Sequence, residues 1–376
     1  MKIRPGHPSH GIALIVALIA ILVLSALAAG LAVSLKVETR LAYNANSETQ
    51  LSWLGRSGVE LARWVLAQER CPYDSLNQIW AGGPGSDCET NGPLAGFSLD
   101  NYAVGGGTVS VKIVDLERKA NINTASGLEI QQALTDMGVD ASQISVVSDS
   151  IQDWIGPAGP PRVAGAESDY YQGLDPPYYA KNAPMDDISE LLHVRGILDH
   201  PEIYDPKTYG NANDTSGPVF HHKLGFDKPS DQNNYPFGLK DVFTPISNGR
   251  VNINTADADV LQMVLGGDAT AAENIIKLRA GPDGVDGTED DMPFANPAAA
   301  LQTAGINPAL VGQAANLLTT RSSTFEVHIT AQIGVQTREY VAILFRNSPV
   351  DIRVLSFYWM NAPTTGIGSP GDPKPN

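Results

Sequence analysis

The chain has 376 residues, a formal charge of −16 and 43% hydrophobic residues, a length that suits about two domains of ordinary size. Its lysines and arginines are scattered without a basic stripe, which argues against binding through a nucleic-acid backbone. Only one segment, near the start, is apolar enough to enter a bilayer, so a multi-span membrane protein is excluded.

Residues 1–11 form a polar leader that contains Lys2 and Arg4 and ends in Gly11. From Ile12 to Leu35 no charge appears, a run longer than the roughly 20 residues a bilayer core requires. The basic residues ahead of it place the N-terminus in the cytoplasm. A cleaved secretory signal is the competing reading, with Ala26-Leu27-Ala28 as its small-residue cleavage site. However, such signals carry apolar regions of about 7–15 residues, and here the helical pattern continues. Leu51, Leu54, Gly58, Leu61 and Val65 recur at spacings of three and four, and no proline falls between Ile12 and Gln68. The pattern predicts one long helix, with 12–35 in the membrane and 36–70 as an amphipathic continuation.

Residues 71–117 read as a loop followed by the first strands of a sheet. Cys71 and Cys88 flank a Gly- and Pro-rich stretch. Behind a translocation signal they read as a disulfide, which in the chain-entropy picture stabilises by roughly 3 kcal/mol; two unpaired thiols are the alternative. "AGFSLDNYAV" and "GTVSVKIVDLE" read as strands, the second alternating Val109, Val111 and Ile113 with polar neighbours. Residues 118–320 show short helical patterns joined by long polar connections. Strand character returns over 321–360 in "STFEVHITAQIG", "TREYVAILFRN" and "DIRVLSFYWM", with Gly334 at a hairpin turn. The Pro- and Gly-rich composition of 361–376 predicts a disordered tail. The fold class is therefore α+β: a long N-terminal helix and an antiparallel sheet, with a large, mostly helical domain inserted between strands.

Within the insertion, "KANINTASGLEIQQAL" is echoed 131 residues later by "RVNINTADADVLQMVL". Each copy opens a helix. Thr124 and Thr255 suit N-cap positions; in the first copy, Ser126 with Glu129 forms an alternative capping box. "NINTA" before a helix also resembles the helix-hairpin-helix modules of DNA-binding competence proteins. The acidic balance opposes that reading, and Leu265-Gly266-Gly267-Asp268 stands where the phosphate-approaching hairpin would be.

The leader, the glycine and the long apolar helix resemble the class III signal of type IV pilins and pseudopilins. That resemblance implies cleavage by a prepilin peptidase between Gly11 and Ile12 and N-methylation of Ile12. Glutamate is expected at the fifth mature position, where this chain has Val16; among pseudopilins the minor K component is the one that usually lacks it. Together with "VDLERKANINTA", "IQDWIG", "AGAESDYYQG", "PPYYAKNAPMDDISELLHVRGI", the second "NINTA" and "SSTFEVHITAQIG", these features resemble the type II secretion minor pseudopilin K (GspK) family over nearly the full length. The resemblance implies a pilin-like fold with a helical insertion, and a non-enzymatic role at the pseudopilus tip with minor pseudopilins I and J. It also implies an inner-membrane anchor with the globular part in the periplasm. A minor pilin of a type IV pilus, which shares the N-terminal logic, is the alternative.

No catalytic constellation stands out among the histidines, and "FHH" at 220–222 reads as a polar loop. "GPDGVDGTEDDMPF" is more pointed. Asp283, Asp286, Glu289, Asp290 and Asp291 crowd a stretch bent by Gly284 and Gly287, and calcium takes six to eight oxygen ligands from such loops. The spacing is not that of an EF-hand, and a solvated acidic loop is the plain alternative. Calcium binding in the resembled family favours the ion, with Glu167 and Asp169 as a second candidate pair.

Overall fold

The computed structural model describes residues 10–68, 70–89, 91–210 and 235–360. The leader residues 1–9, the Phe220-His221-His222 stretch and the tail 361–376 lie outside them. Helix α1 runs His10–Ala67. It is followed by β1 (Tyr102–Val104) and β2 (Gly107–Asp115), and after the insertion by β7 (Thr324–Ile333), β8 (Gln336–Ser348) and β9 (Asp351–Met360). These five strands form one antiparallel sheet in the order β1-β2-β7-β8-β9. The sheet is the predicted one, with the insertion leaving at the end of β2 and returning at the start of β7.

Alternation dictates which face of the sheet is covered. Val109, Val111 and Ile113 of β2, Phe325, Val327, Ile329 and Ala331 of β7, and Tyr340, Ala342 and Leu344 of β8 point to one side and are buried. The apolar stripe of α1 lies across them through Leu51, Leu54, Ala62, Val65 and Leu66. Two glycines set the distance of approach. A β-carbon on Gly55 would sit 2.6 Å from the Tyr340 ring, and one on Gly58 would sit 2.5 Å from Cγ2 of Ile329. Trp80, from the loop after α1, closes one end of this core, edge-on to Phe325 at 5.3 Å.

β1 is shorter than the sequence suggests. "AGFSLDNYAV" pairs only from Tyr102, because Asn101 takes a left-handed φ of +53° that breaks the extended run. The preceding residues pack inward instead: Leu99 is buried, and its carbonyl accepts from the Val111 N–H at 2.9 Å. The Gly334 hairpin is as read, with Ile333 facing Gln336 across a two-residue turn in which Gly334 has φ +58°.

The insertion holds short pairs of parallel bridges, β3 (Ala120–Asn121) with β4 (Phe243–Thr244) and β5 (Val251–Asn252) with β6 (Leu318–Thr319). Its helices are α2 (Gly127–Met137), α3 (Ala141–Ile155), α4 (Ser168–Tyr171), α5 (Pro206–Tyr209), α6 (Leu239–Val242), α7 (Ala258–Val264), α8 (Ala269–Arg279), α9 (Pro297–Thr303) and α10 (Pro308–Leu317). They enclose a second hydrophobic core, separate from that under the sheet, around Ile130, Leu134, Ile151, Ile253, Leu261 and Ile275.

Replacing Gly58 by Leu should force α1 off Ile329 and Val109. A loss of about 1–3 kcal/mol is expected from overpacking, measured by chemical denaturation of the chain in detergent; an unchanged midpoint would contradict the close approach.

Candidate functional site

The candidate functional features fall in the N-terminal helix, the acidic loop and the junction between the two cores. Because α1 begins at His10, the bond between Gly11 and Ile12 lies in its first turn, and Val16 stands about one turn further on. Val16 is 60% exposed and lies among equally exposed Leu14, Ile15, Leu18 and Ile19. This half of α1 is long and apolar enough to cross a membrane. Cys71 and Cys88 are joined in a disulfide with a Cα–Cα separation of 5.7 Å.

The acidic loop folds back on itself. Gly284 and Gly287 take φ values of +72° and +87°, the left-handed turns that glycine allows. Asp290 accepts from the Thr288 hydroxyl at 2.7 Å and the Asp283 N–H at 2.9 Å, bonds that hold its carboxyl below the usual range. Asp291 accepts from the Gly287 N–H at 2.8 Å, while partial burial pushes its carboxyl up. Asp286 turns the other way and takes the Nε and Nη2 donors of Arg279 at 2.9 and 2.7 Å. Arg279 is itself buried and donates through Nη1 to the carbonyls of Ile253 and Ala256, both at 2.8 Å. Asp286 therefore ties the loop to the start of α7.

As folded, the five acids do not gather into a calcium site: among the described residues no group of three acidic, histidine or cysteine side chains is placed to hold a metal. Glu167 and Asp169 sit at the start of α4, where the Glu167 side chain makes no capping bond. Replacing Asp286 by Asn should strand the buried Arg279 charge. Because the Asp286 side chain is 25% exposed, we expect a loss of about 2–3 kcal/mol, below the usual range for a broken buried pair, read as a lower thermal midpoint.

The two "NINTA" copies do the same local work. In each, the first asparagine (Asn121, Asn252) accepts through Oδ1 from the N–H two residues on, at 2.9 and 3.0 Å. The second asparagine clamps both polar groups of a distant backbone residue: Asn123 holds Met185, and Asn254 holds Phe294. The threonines are not the caps. Ser126 and Glu129 form the capping box of α2, while Asp257 is the N-cap residue of α7 and makes no capping bond with its side chain. Turning the chain through the asparagine bonds delays each helix by two residues. Thr255 is thereby released to point into the junction, where its hydroxyl donates to Asp115 at 2.6 Å.

That junction lies where the insertion leaves and rejoins the sheet. Asp115, the last residue of β2, accepts through Oδ2 from Thr255, from the Ser322 hydroxyl at 2.6 Å and from Asn252 Nδ2 at 3.2 Å. Glu117 accepts through Oε2 from the Thr324 N–H at 2.8 Å and through Oε1 from the Ser323 hydroxyl at 2.8 Å. Asp74, from the disulfide-closed loop, takes the Arg346 guanidinium at 2.6 Å and the Ser322 N–H at 2.7 Å. All four charged groups are buried. Neither the acids nor Arg346 stand out in the sequence. The one available signal was "VDLE", two acids at the end of an alternating apolar strand, where a solvent-facing end would be expected to carry acids anyway.

The family model described as type II secretion system (T2SS), protein K, matches residues 110–205, from the middle of β2 through the first "NINTA" copy to the N-cap of α5. The type II secretion system protein K of Pseudomonas aeruginosa is 25% identical over 300 residues, 75% of each chain. That of Aeromonas hydrophila is 26% identical over 209 residues, covering 50% of this chain and 59% of its own length. The chain is thus similar to the type II secretion system protein K family. Its fold is shared with a chain in the crystal structure of the GspK-GspI-GspJ complex from enterotoxigenic Escherichia coli, at 17% identity and a TM-score of 0.58 over 85% of this chain and 99% of that one. These likenesses support a minor pseudopilin role in type II secretion.

Proposed function

We propose that the chain stands at the tip of the type II secretion pseudopilus, beside minor pseudopilins I and J, and initiates its assembly. The observation that carries this reading is the position of the insertion. A whole domain with its own core is spliced between the adjacent strands β2 and β7, which suits an end subunit better than one enclosed by neighbours on all sides. The GspK-GspI-GspJ complex, one chain of which shares this fold, supports the choice of partners. Val16 supports it separately. A glutamate there would present a charge to the amine of a subunit ahead, and a carboxylate in lipid is costly without such a partner. A subunit with none ahead does without it. The role is one of assembly rather than catalysis.

The same reading orients the chain in the inner membrane, with Lys2 and Arg4 in the cytoplasm and the disulfide in the oxidising periplasm. A prepilin peptidase removes residues 1–11 and methylates Ile12. We retain calcium as a proposal for Asp283, Glu289, Asp290 and Asp291. A carboxylate oxygen bonded to one N–H keeps lone pairs for an ion, and binding would draw these side chains together while Asp286 stays with Arg279.

Mass spectrometry of membrane-extracted protein should show a chain beginning at Ile12 and carrying one added methyl group; a start near Ala29 would show a secretory signal instead. Calcium added to chelated protein at a hundred times its dissociation constant should stabilise the fold by about 2.7 kcal/mol, and an unchanged thermal midpoint at millimolar ion would remove calcium from the reading. Deleting the chain should abolish or sharply delay fibre initiation, and immunogold label should sit at fibre ends. Label repeated along the shaft would defeat the tip assignment.

A further inference from the structure

We propose that the junction between the inserted domain and the sheet is a proton-dependent latch, in which one proton held within the Asp74, Asp115 and Glu117 group keeps the second "NINTA" turn docked on the ends of β2 and β7. The cluster joins segments that are far apart in sequence. The disulfide-closed loop brings Asp74, the exit from β2 brings Asp115 and Glu117, the turn before α7 brings Asn252 and Thr255, and the return to β7 brings Ser322 and Ser323. Asn252 Nδ2 stitches three of these together, donating to the Asp74 carbonyl at 3.1 Å, the Ser322 hydroxyl at 2.8 Å and Asp115 Oδ2.

Charge counting gives the reason for a proton. Asp74, Asp115 and Glu117 are 0%, 2% and 0% exposed. Among the described residues, the cation hydrogen-bonded into this group is Arg346, which pairs with Asp74. Burying an uncompensated charge costs far more than burying a neutral acid. Glu117 has its oxygens committed to backbone N–H groups and the Ser323 hydroxyl. Asp115 accepts one backbone N–H, that of Glu117, on Oδ1 at 2.8 Å. Its Oδ2 faces two hydroxyls, Thr255 and Ser322, either of which can rotate to accept a hydrogen bond from a proton on that oxygen. Burial pushes the Asp115 carboxyl up to about 8, the neighbouring Glu117 and Asp74 charges add to the rise, and the Ser322 and Thr255 hydroxyls oppose it.

The direction of the pH effect follows. An acid whose pKa is higher in the folded than in the unfolded chain binds a proton that unfolding releases. Its contribution to stability is complete below about 4, declines as pH rises through the interval from about 4 to about 8, and changes no further above that. The neutral pair of Asp115 with its hydroxyl partners holds the latch at neutral pH. Above about 8, a second unpaired carboxylate beside Glu117 loosens the docked turn.

The test uses the full chain in detergent, with aspartate carboxyl carbons labelled. One carboxyl resonance should titrate near 8 rather than in the usual range near 4, and the Asp115→Asn variant should lack it. If every aspartate titrates in the ordinary range, the latch is overturned. Hydrogen exchange, corrected for the intrinsic rate, gives the conformational side. Protection of the Asn252, Ser322 and Thr324 amides should fall about tenfold between pH 7 and 9 in the parent and stay flat in Asp115→Asn. Equal falls in both, or none in the parent, would refute the proposal. Should Asp115→Asn fail to fold, Thr255→Val decides. Losing a hydroxyl that favours the charged form should move the titration further up, and a downward move would refute the latch.

Discussion

The architecture hangs on the pairing of β2 with β7. These strands are neighbours in the sheet, from Thr108 opposite Gln332 to Asp115 opposite Phe325, yet the whole insertion separates them along the chain. Bringing such distant ends together costs loop-closure entropy, about 5 kcal/mol plus a constant for a flexible chain of that length. A folded insertion whose own ends are held together escapes most of that cost. The Leu116 N–H donating to the Thr324 carbonyl at 3.0 Å, and Glu117 receiving the Thr324 N–H, hold those ends at the edge of the sheet.

Two consequences follow from this placement. The sheet keeps one face for α1, so this helix and the sheet share a core to which the insertion does not contribute. The insertion keeps its own core, so it can be large without disturbing the long N-terminal helix. What connects the two is mainly polar: buried carboxylates, one arginine, and the asparagine and hydroxyl groups around them. A polar seam of this kind is demanding, because each buried group must find a partner. It also fixes one orientation of the domains, which a greasy seam would leave freer to slide.

The acidic loop shows the same economy on a smaller scale. Asp286 and Arg279 fasten it to the second "NINTA" turn, the turn that also carries Asn252 and Thr255 into the junction. A change in the loop thus has a short physical path to the seam, through Arg279 and the carbonyls of Ile253 and Ala256.

Much of this was legible in the sequence. The uncharged run from Ile12 to Leu35, the three-and-four spacing through Val65 and the alternation in β2 and β7 are short-range patterns. A helix or a strand must repeat them locally to bury one face, so they can be read without knowing what covers that face. The glycine turn at Gly334 and the capping box at Ser126 are equally local. The candidate sites were less legible. The spacing alone brought five acids into one loop, but it could not tell that Asp286 would turn to a buried arginine. Nor could it tell that Thr255 would serve Asp115 rather than a helix end, or that Asp74 would meet Arg346. Those outcomes depend on which distant segments share a volume from which water is excluded. Burial and charge balance, unlike periodicity, are properties of that shared volume, and only the tertiary structure defines it.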